Sequence, residues 1–182
     1  MDHWTISKFS TPWAHVVIDN FLPEKLFKLL VSSIVNQDFS FESKSFYNNF
    51  NLDYFEQFEK PEVTDYFKKH INEAFLLEHF SITRKYSQLK PHFDFQIMRK
   101  FGSSSIHCDL EEKIMTSVFY IHPKLNTGTI LYDQNKNFSK TIDWIPNRAF
   151  IFCPITDVTW HSYKNESFPF RATLNFNLLS SL

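Results

Sequence analysis

The sequence predicts an α+β domain on an antiparallel, β-barrel-like core, and three observations carry that expectation. Residues 22–35 and 63–80 place apolar side chains at helical spacing. From about residue 93 to 179 the chain breaks into seven short strand-like runs with no helical stretch between them. Turn chemistry separates those runs, in "GSSS", "HPKLNTG", "QNKN", "IPN" and "KNESFP". Helices first and strands after, in 182 residues without a Pro/Gly/Ser-rich linker, fit one domain over 1–182, helical over about 1–85 and β over about 93–179.

Taken in order, "AHVVIDNF" (14–21) reads as a strand. Pro23 stands where a helix start tolerates it, and Leu26, Leu29, Leu30 and Ile34 follow at helical spacing. "VTDYFKKHINEAFLLEHF" (63–80) reads as one helix with Tyr66, Phe67, Ile71 and Phe75 along a stripe. The aromatic stretch 37–60 follows neither period and reads as irregular. The strand from Phe170 alternates. Phe170, Ala172, Leu174, Phe176 and Leu178 share one face, and Arg171, Thr173, Asn175 and Asn177 the other. With 22 Phe and only 2 Gly, aromatic rings do much of the packing, and positive-φ positions fall mostly to Asn, Asp or Ser.

Charge and cysteines narrow the class. A net charge of −1 leaves no electrostatic footprint for nucleic acid or an anionic membrane. Cys108 and Cys153 form neither a disulfide scaffold nor a CxxC pair. The first residues lack a signal-peptide pattern, and no window approaches the ~18 apolar residues of a membrane span. The expectation is a soluble, cytoplasmic protein.

Chemistry concentrates in "SIHCDLEEK" (105–113). In an extended chain residues i and i+2 share a face, so His107 and Asp109 converge while Cys108 turns away. "PHFDF" repeats the spacing with His92 and Asp94, which a solvated strand edge explains. His161, in "VTWHSY", is the candidate third ligand. Two histidines and a carboxylate form the facial triad of non-haem Fe(II) oxygenases. If "KNESFP" is a hairpin turn, His161 falls opposite Arg171, whose planar fork suits a carboxylate, with Thr173 two residues on. His3, His15, His70, His79 and His122 receive no role.

The combined pattern resembles the 2-oxoglutarate and Fe(II)-dependent dioxygenases, particularly their prolyl-4-hydroxylase-like branch. "HCD" (107–109), His161 roughly fifty residues later and "RAT" (171–173) about ten beyond carry the likeness, with "TSVFYIHP…NTGTILYD" and "WIPNRAFIFCP" between them. The likeness covers about residues 93–179 and, more weakly, "HVVIDNFLPEKLFKLL". It implies a double-stranded β-helix (a jelly-roll, cupin-like core) with the N-terminal helices packed on one sheet. It also implies iron bound by His107, Asp109 and His161, and 2-oxoglutarate held by Arg171, Thr173 and Tyr120. O2 would be the oxidant, with ascorbate as an auxiliary reductant. The substrate would be a protein residue, prolyl-like, or a small molecule, hydroxylated with release of succinate and CO2. The chain departs from the family where "TG" (127–128) replaces two glycines and "PN" (146–147) replaces a glycine. The tyrosine usual ahead of HxD is Phe101 or missing. Two alternatives stand beside this reading: a non-catalytic jelly-roll binding module retaining a metal site, and a cupin-like metalloenzyme in which Arg171 is idle. Substrate recognition is expected from residues 37–60 and from loops around 84–92 and 133–140.

Overall fold

The structure, a computed structural model, describes residues 4–35, 60–82, 85–166 and 168–180. Two antiparallel sheets face each other. The larger has six strands in the order β1-β2-β7-β4-β9-β3, from β1 (Thr5–Phe9), β2 (His15–Asp19), β7 (Ala149–Phe152), β4 (Lys113–His122), β9 (Phe170–Ser180) and β3 (Leu89–Arg99). The smaller is β6 (Phe138–Ile142), β5 (Thr129–Tyr132) and β8 (His161–Tyr163), in that order. Isolated bridges from Ser103 to Lys164 and from His107 to His161 lay the 103–107 segment along the outer side of β8. The helices pack on one face of the large sheet, as expected of a double-stranded β-helix with an N-terminal helical layer.

Helix α1 (Glu24–Val35) buries Leu30 and Ile34 against the sheet, whereas Leu29, expected on the same stripe, is exposed. The single helix expected over 63–80 is two, α2 (Pro61–His70) and α3 (Glu73–His79). The physical reason is Asn72. Its side chain accepts from the Phe75 amide at 3.2 Å and caps a new helix start, while Ile71 ends α2. Phe67, Ile71 and Phe75 still point into the core. Strand β1 adds to the expected set; its five residues are mostly exposed, so the alternation that betrays a half-buried strand is missing.

Two details concern the chain's few glycines. A Cβ at Gly128 would lie 1.6 Å from the Ile142 carbonyl oxygen, so β5 begins where only glycine fits. Where the family's glycine is replaced in "PN", Asn147 takes φ 69° itself. Its side chain also accepts from Leu22 N (2.8 Å) and donates to Leu22 O (2.9 Å), tying the start of β7 to the approach to α1. Asn20 and Asp157 likewise adopt positive φ, but so do Phe101 and Lys136, which composition did not lead one to expect.

Strand β9 organises the site. It pairs with β3 on one side and β4 on the other, so its alternation divides the molecule. Ala172, Leu174, Phe176 and Leu178 enter the helix-side core with Phe67, Phe119 and Ile151. Arg171, Thr173, Asn175 and Asn177 face the small sheet.

Candidate metal centre and its cavity

His107 and His161 meet because they are directly opposed across a bridge. His107 N donates to His161 O at 3.0 Å and His161 N to His107 O at 2.9 Å. Directly opposed residues present side chains on one face, and the two rings lie 4.4 Å apart. The HxD segment is not itself in a continuous strand, yet Asp109 converges on the same point. One ligand atom from each of His107, Asp109 and His161 lies within 4.8 Å of the others.

Each ligand is oriented from behind. His107 Nδ1 bonds the Ser105 carbonyl at 2.9 Å and His161 Nδ1 the Thr159 carbonyl at 3.0 Å. A carbonyl only accepts, so Nδ1 carries the proton in both rings and the Nε2 lone pair is left to ligate. Burial pushes His161 down to about 4, partly opposed by the Asp109 charge, so its imidazole is neutral at pH 7. Asp109 is anchored to β4: its Oδ2 accepts from the Thr116 hydroxyl at 2.7 Å, and its Oδ1 takes the Lys113 ammonium at 3.2 Å. Burial raises its pKa, but Lys113, His161 and the Thr116 hydrogen bond outweigh burial and hold it below the usual aspartate value. Two imidazoles and one carboxylate are a donor set compatible with Fe(II).

The triad opens on a cavity of about 40 Å³ that Arg171 also lines. The hairpin register expected between His161 and Arg171 is not formed. β8 pairs with β5, β9 pairs with β3 and β4, and the two residues approach from opposite sheets. The segment after β8 crosses between sheets rather than turning back on itself. Arg171 is 1% exposed. Its guanidinium sits 4.7 Å from the Trp144 ring, 4.8 Å from Tyr163 and 5.8 Å from Tyr120. Nε and Nη2 have no hydrogen-bond partner among the described residues. Burial pushes its pKa down, and Tyr120 and Tyr163 partly offset this. Thr173 lies on the same face, fully buried, its hydroxyl likewise without a partner.

Tyr120 is also fully buried, stacked on Trp144. Its hydroxyl donates to Thr129 Oγ1 at 2.7 Å and accepts from Thr129 N at 3.2 Å, so it stands behind Thr129, which lines the cavity. His92 and Asp94 lie on β3, an edge strand of the large sheet, and neither belongs to the triad cluster. Sequence reasoning missed Lys113, Thr116, Trp144 and Tyr163. Only the inward alternation of β4 and the i+2 position of Tyr163 after His161 hinted at them. The stretch 37–60, expected to contact substrate, lies outside the described residues except for Lys60. No described helix is long and apolar enough to cross a membrane.

No protein-family model matches the sequence, and no curated protein matches it by sequence search. Solved structures do match in fold. A prolyl hydroxylase from Trichoplax adhaerens, in complex with a hypoxia inducible factor oxygen degradation domain peptide, aligns at TM-score 0.62 and 13% identity over 91% of this chain and 83% of that one. The viral collagen prolyl hydroxylase of Paramecium Bursaria Chlorella virus-1, in its 2OG complex, aligns at 0.59 and 13% over 92% and 96%. A Pseudomonas putida prolyl-4-hydroxylase aligns at 0.53 and 10% over 92% and 93%. In fold, therefore, the chain is similar to these prolyl hydroxylases, and its own residues bring two histidines and a carboxylate together within that fold.

Proposed function

We propose that the protein is an Fe(II)- and 2-oxoglutarate-dependent oxygenase that hydroxylates a C–H bond, with a prolyl-like protein residue as the favoured substrate class. The observation that carries this reading is the pairing of two features in one cavity: a triad of two imidazoles and a carboxylate, and a buried guanidinium with unmet donors. A buried, unsatisfied charged group is expensive unless a ligand completes it. A carboxylate on Arg171 would do so, and two parallel N–H donors are the geometry it prefers.

His107, Asp109 and His161 would hold the iron, which in this family supplies oxidative decarboxylation of 2-oxoglutarate by O2, giving succinate and CO2, coupled to substrate hydroxylation. The chain's own residues do the positioning. Thr116 and Lys113 fix the Asp109 carboxylate, and the backbone carbonyls of Ser105 and Thr159 fix the ring orientations. Arg171 would grip the distal carboxylate of 2-oxoglutarate, with the Thr173 hydroxyl beside it. Tyr120 acts through Thr129, since its own hydroxyl is already engaged there. Ascorbate would serve as auxiliary reductant. The likeness to prolyl hydroxylases, one of them solved with a peptide, supports a peptide substrate.

The test is turnover. Purified protein with Fe(II), ascorbate and 2-oxoglutarate should form succinate slowly even without substrate, and Asp109→Ala should abolish it. Iron uptake without any succinate would replace the enzyme by a non-catalytic binding module.

A further inference from the structure

The inward row of β9 continues past Arg171 and Thr173, and its far half has no part in the site as described so far. Asn175 is 7% exposed and Asn177 1%, yet the Oδ1 atom of each has no hydrogen-bond partner among the described residues. Two buried, unmet acceptors on one face of one strand are unusual, because such groups nearly always find a partner. Asn175 lines the triad cavity. Asn177 lies directly opposite Thr116, the residue that holds Asp109. Along an extended strand, Asn175 lies about 13 Å and Asn177 about 20 Å from Arg171. The row thus carries unmet donors at its Arg171 end and unmet acceptors at its other end, with the Asp109 anchor beside the acceptors.

The neighbouring strand adds to the acceptors. Asp94 faces Asn175 across the β3–β9 pair. Its Oδ2 is held by Gln96 Nε2 at 3.1 Å, and Gln96 Oε1 accepts from the Tyr163 hydroxyl at 3.2 Å, so a carboxylate is tethered at the cavity's edge. A wall of amide carbonyl and carboxylate oxygens calls for hydrogen-bond donors.

We infer that Asn175 and Asn177 form the primary-substrate subsite and that they select a group presenting N–H donors, an ammonium or the peptide N–H of a residue flanking the one that is oxidised. This rests on the oxygenase reading and adds the substrate chemistry. Arg171 takes the anionic co-substrate at one end of the row, and the asparagines take the donor-bearing substrate at the other.

The experiment uses protein loaded with Mn(II) and N-oxalylglycine, an unreactive analogue of 2-oxoglutarate, and reads paramagnetic broadening of probe proton signals by NMR. The probes are N-methylacetamide, propylammonium and, as a control without donors, N,N-dimethylacetamide. One hydrogen bond to an otherwise unmet acceptor should favour a donor probe over the control on the order of five- to tenfold. The preference should vanish in Asn175→Leu/Asn177→Leu, and which donor probe is preferred separates amide from ammonium. Equal broadening by all three probes, or a preference that survives the double substitution, overturns the inference. Mn(II) uptake is read in the same samples. Wild-type protein that binds no Mn(II) sinks the oxygenase reading and this one together, whereas Mn(II) bound without probe preference sinks only this one. A second readout needs no metal. Replacing an unmet acceptor with a near-isosteric apolar group should raise the Tm of the metal-free double variant by about 2–4 °C. A fall of that size or more means the acceptors are satisfied within the protein and overturns the inference.

Discussion

The two faces of β9 are built on opposite principles. On the helix side, Ala172, Leu174, Phe176 and Leu178 are closed in by rings and aliphatic groups and carry no polar atom of their own, although the buried Ser117 hydroxyl opposite Phe176 has no partner among the described residues. On the side facing the small sheet, Arg171, Thr173, Asn175 and Asn177 are equally buried, yet each keeps at least one polar atom without a partner. Burial is the same and satisfaction is not. The first face stabilises the fold, and the second holds unmet hydrogen-bonding capacity in reserve for ligands, at a cost in stability.

That contrast can be broken from either side. The largest expected effect is on the apolar face. Phe176→Ala, at a ring packed on Phe67 and Phe93, should lower stability by about 3–5 kcal/mol in urea unfolding. Arg171→Met should do the reverse of what its burial suggests. It keeps the length and the packing on Trp144 and removes unmet donors, so stability should change by less than about 1 kcal/mol. Calorimetry should show 2-oxoglutarate binding weakened by roughly 30-fold or more, the 2–5 kcal/mol typical of truncating a buried charged pair.

Acid should strike the inward side next. His15, on β2, is pushed down to about 4, chiefly by burial, with Lys140 adding to it against the Trp13 carbonyl. An unfolded histidine near 6.5 binds the proton that the folded state refuses, so stability is complete above that pH and falls as pH drops towards 4. His15 contributes up to about 3 kcal/mol of that fall, and His15→Leu should flatten the acid limb of a urea-midpoint-against-pH curve. His161 shares the direction. The smallest effect sharpens the comparison. Tyr120→Phe removes a hydroxyl satisfied inside the protein, costing about 1 kcal/mol, and should alter 2-oxoglutarate affinity only through Thr129.

How much of this the sequence disclosed follows from how local each signal is. The alternation along 170–179 and the i, i+2 pair His107/Asp109 are local, and both faces of β9 and two triad members could be read directly. His161 came with the motif. Its true partner across the bridge, His107, did not, because β8 is only three residues long and the chain then crosses to the other sheet, a path that turn chemistry does not encode. The break at Asn72 had a local signal, an N-cap residue within an apolar stripe that runs on through it. Lys113 and Thr116 had only the alternation of β4, and Trp144 had none. They reach the site from a strand start and a neighbouring loop, and only the folded sheet brings them there.

The central claim is that His107, Asp109 and His161 bind one ferrous ion beside a guanidinium from the opposite sheet that holds a dicarboxylate. Anaerobic addition of Fe(II) and then 2-oxoglutarate tests it most directly, through the weak metal-to-ligand absorption band in the visible. The account predicts a band in the wild type, none in His107→Ala, and in Arg171→Met a band that needs far more 2-oxoglutarate to appear. A wild-type protein that binds neither iron nor 2-oxoglutarate, or a band unchanged in His107→Ala, would contradict it.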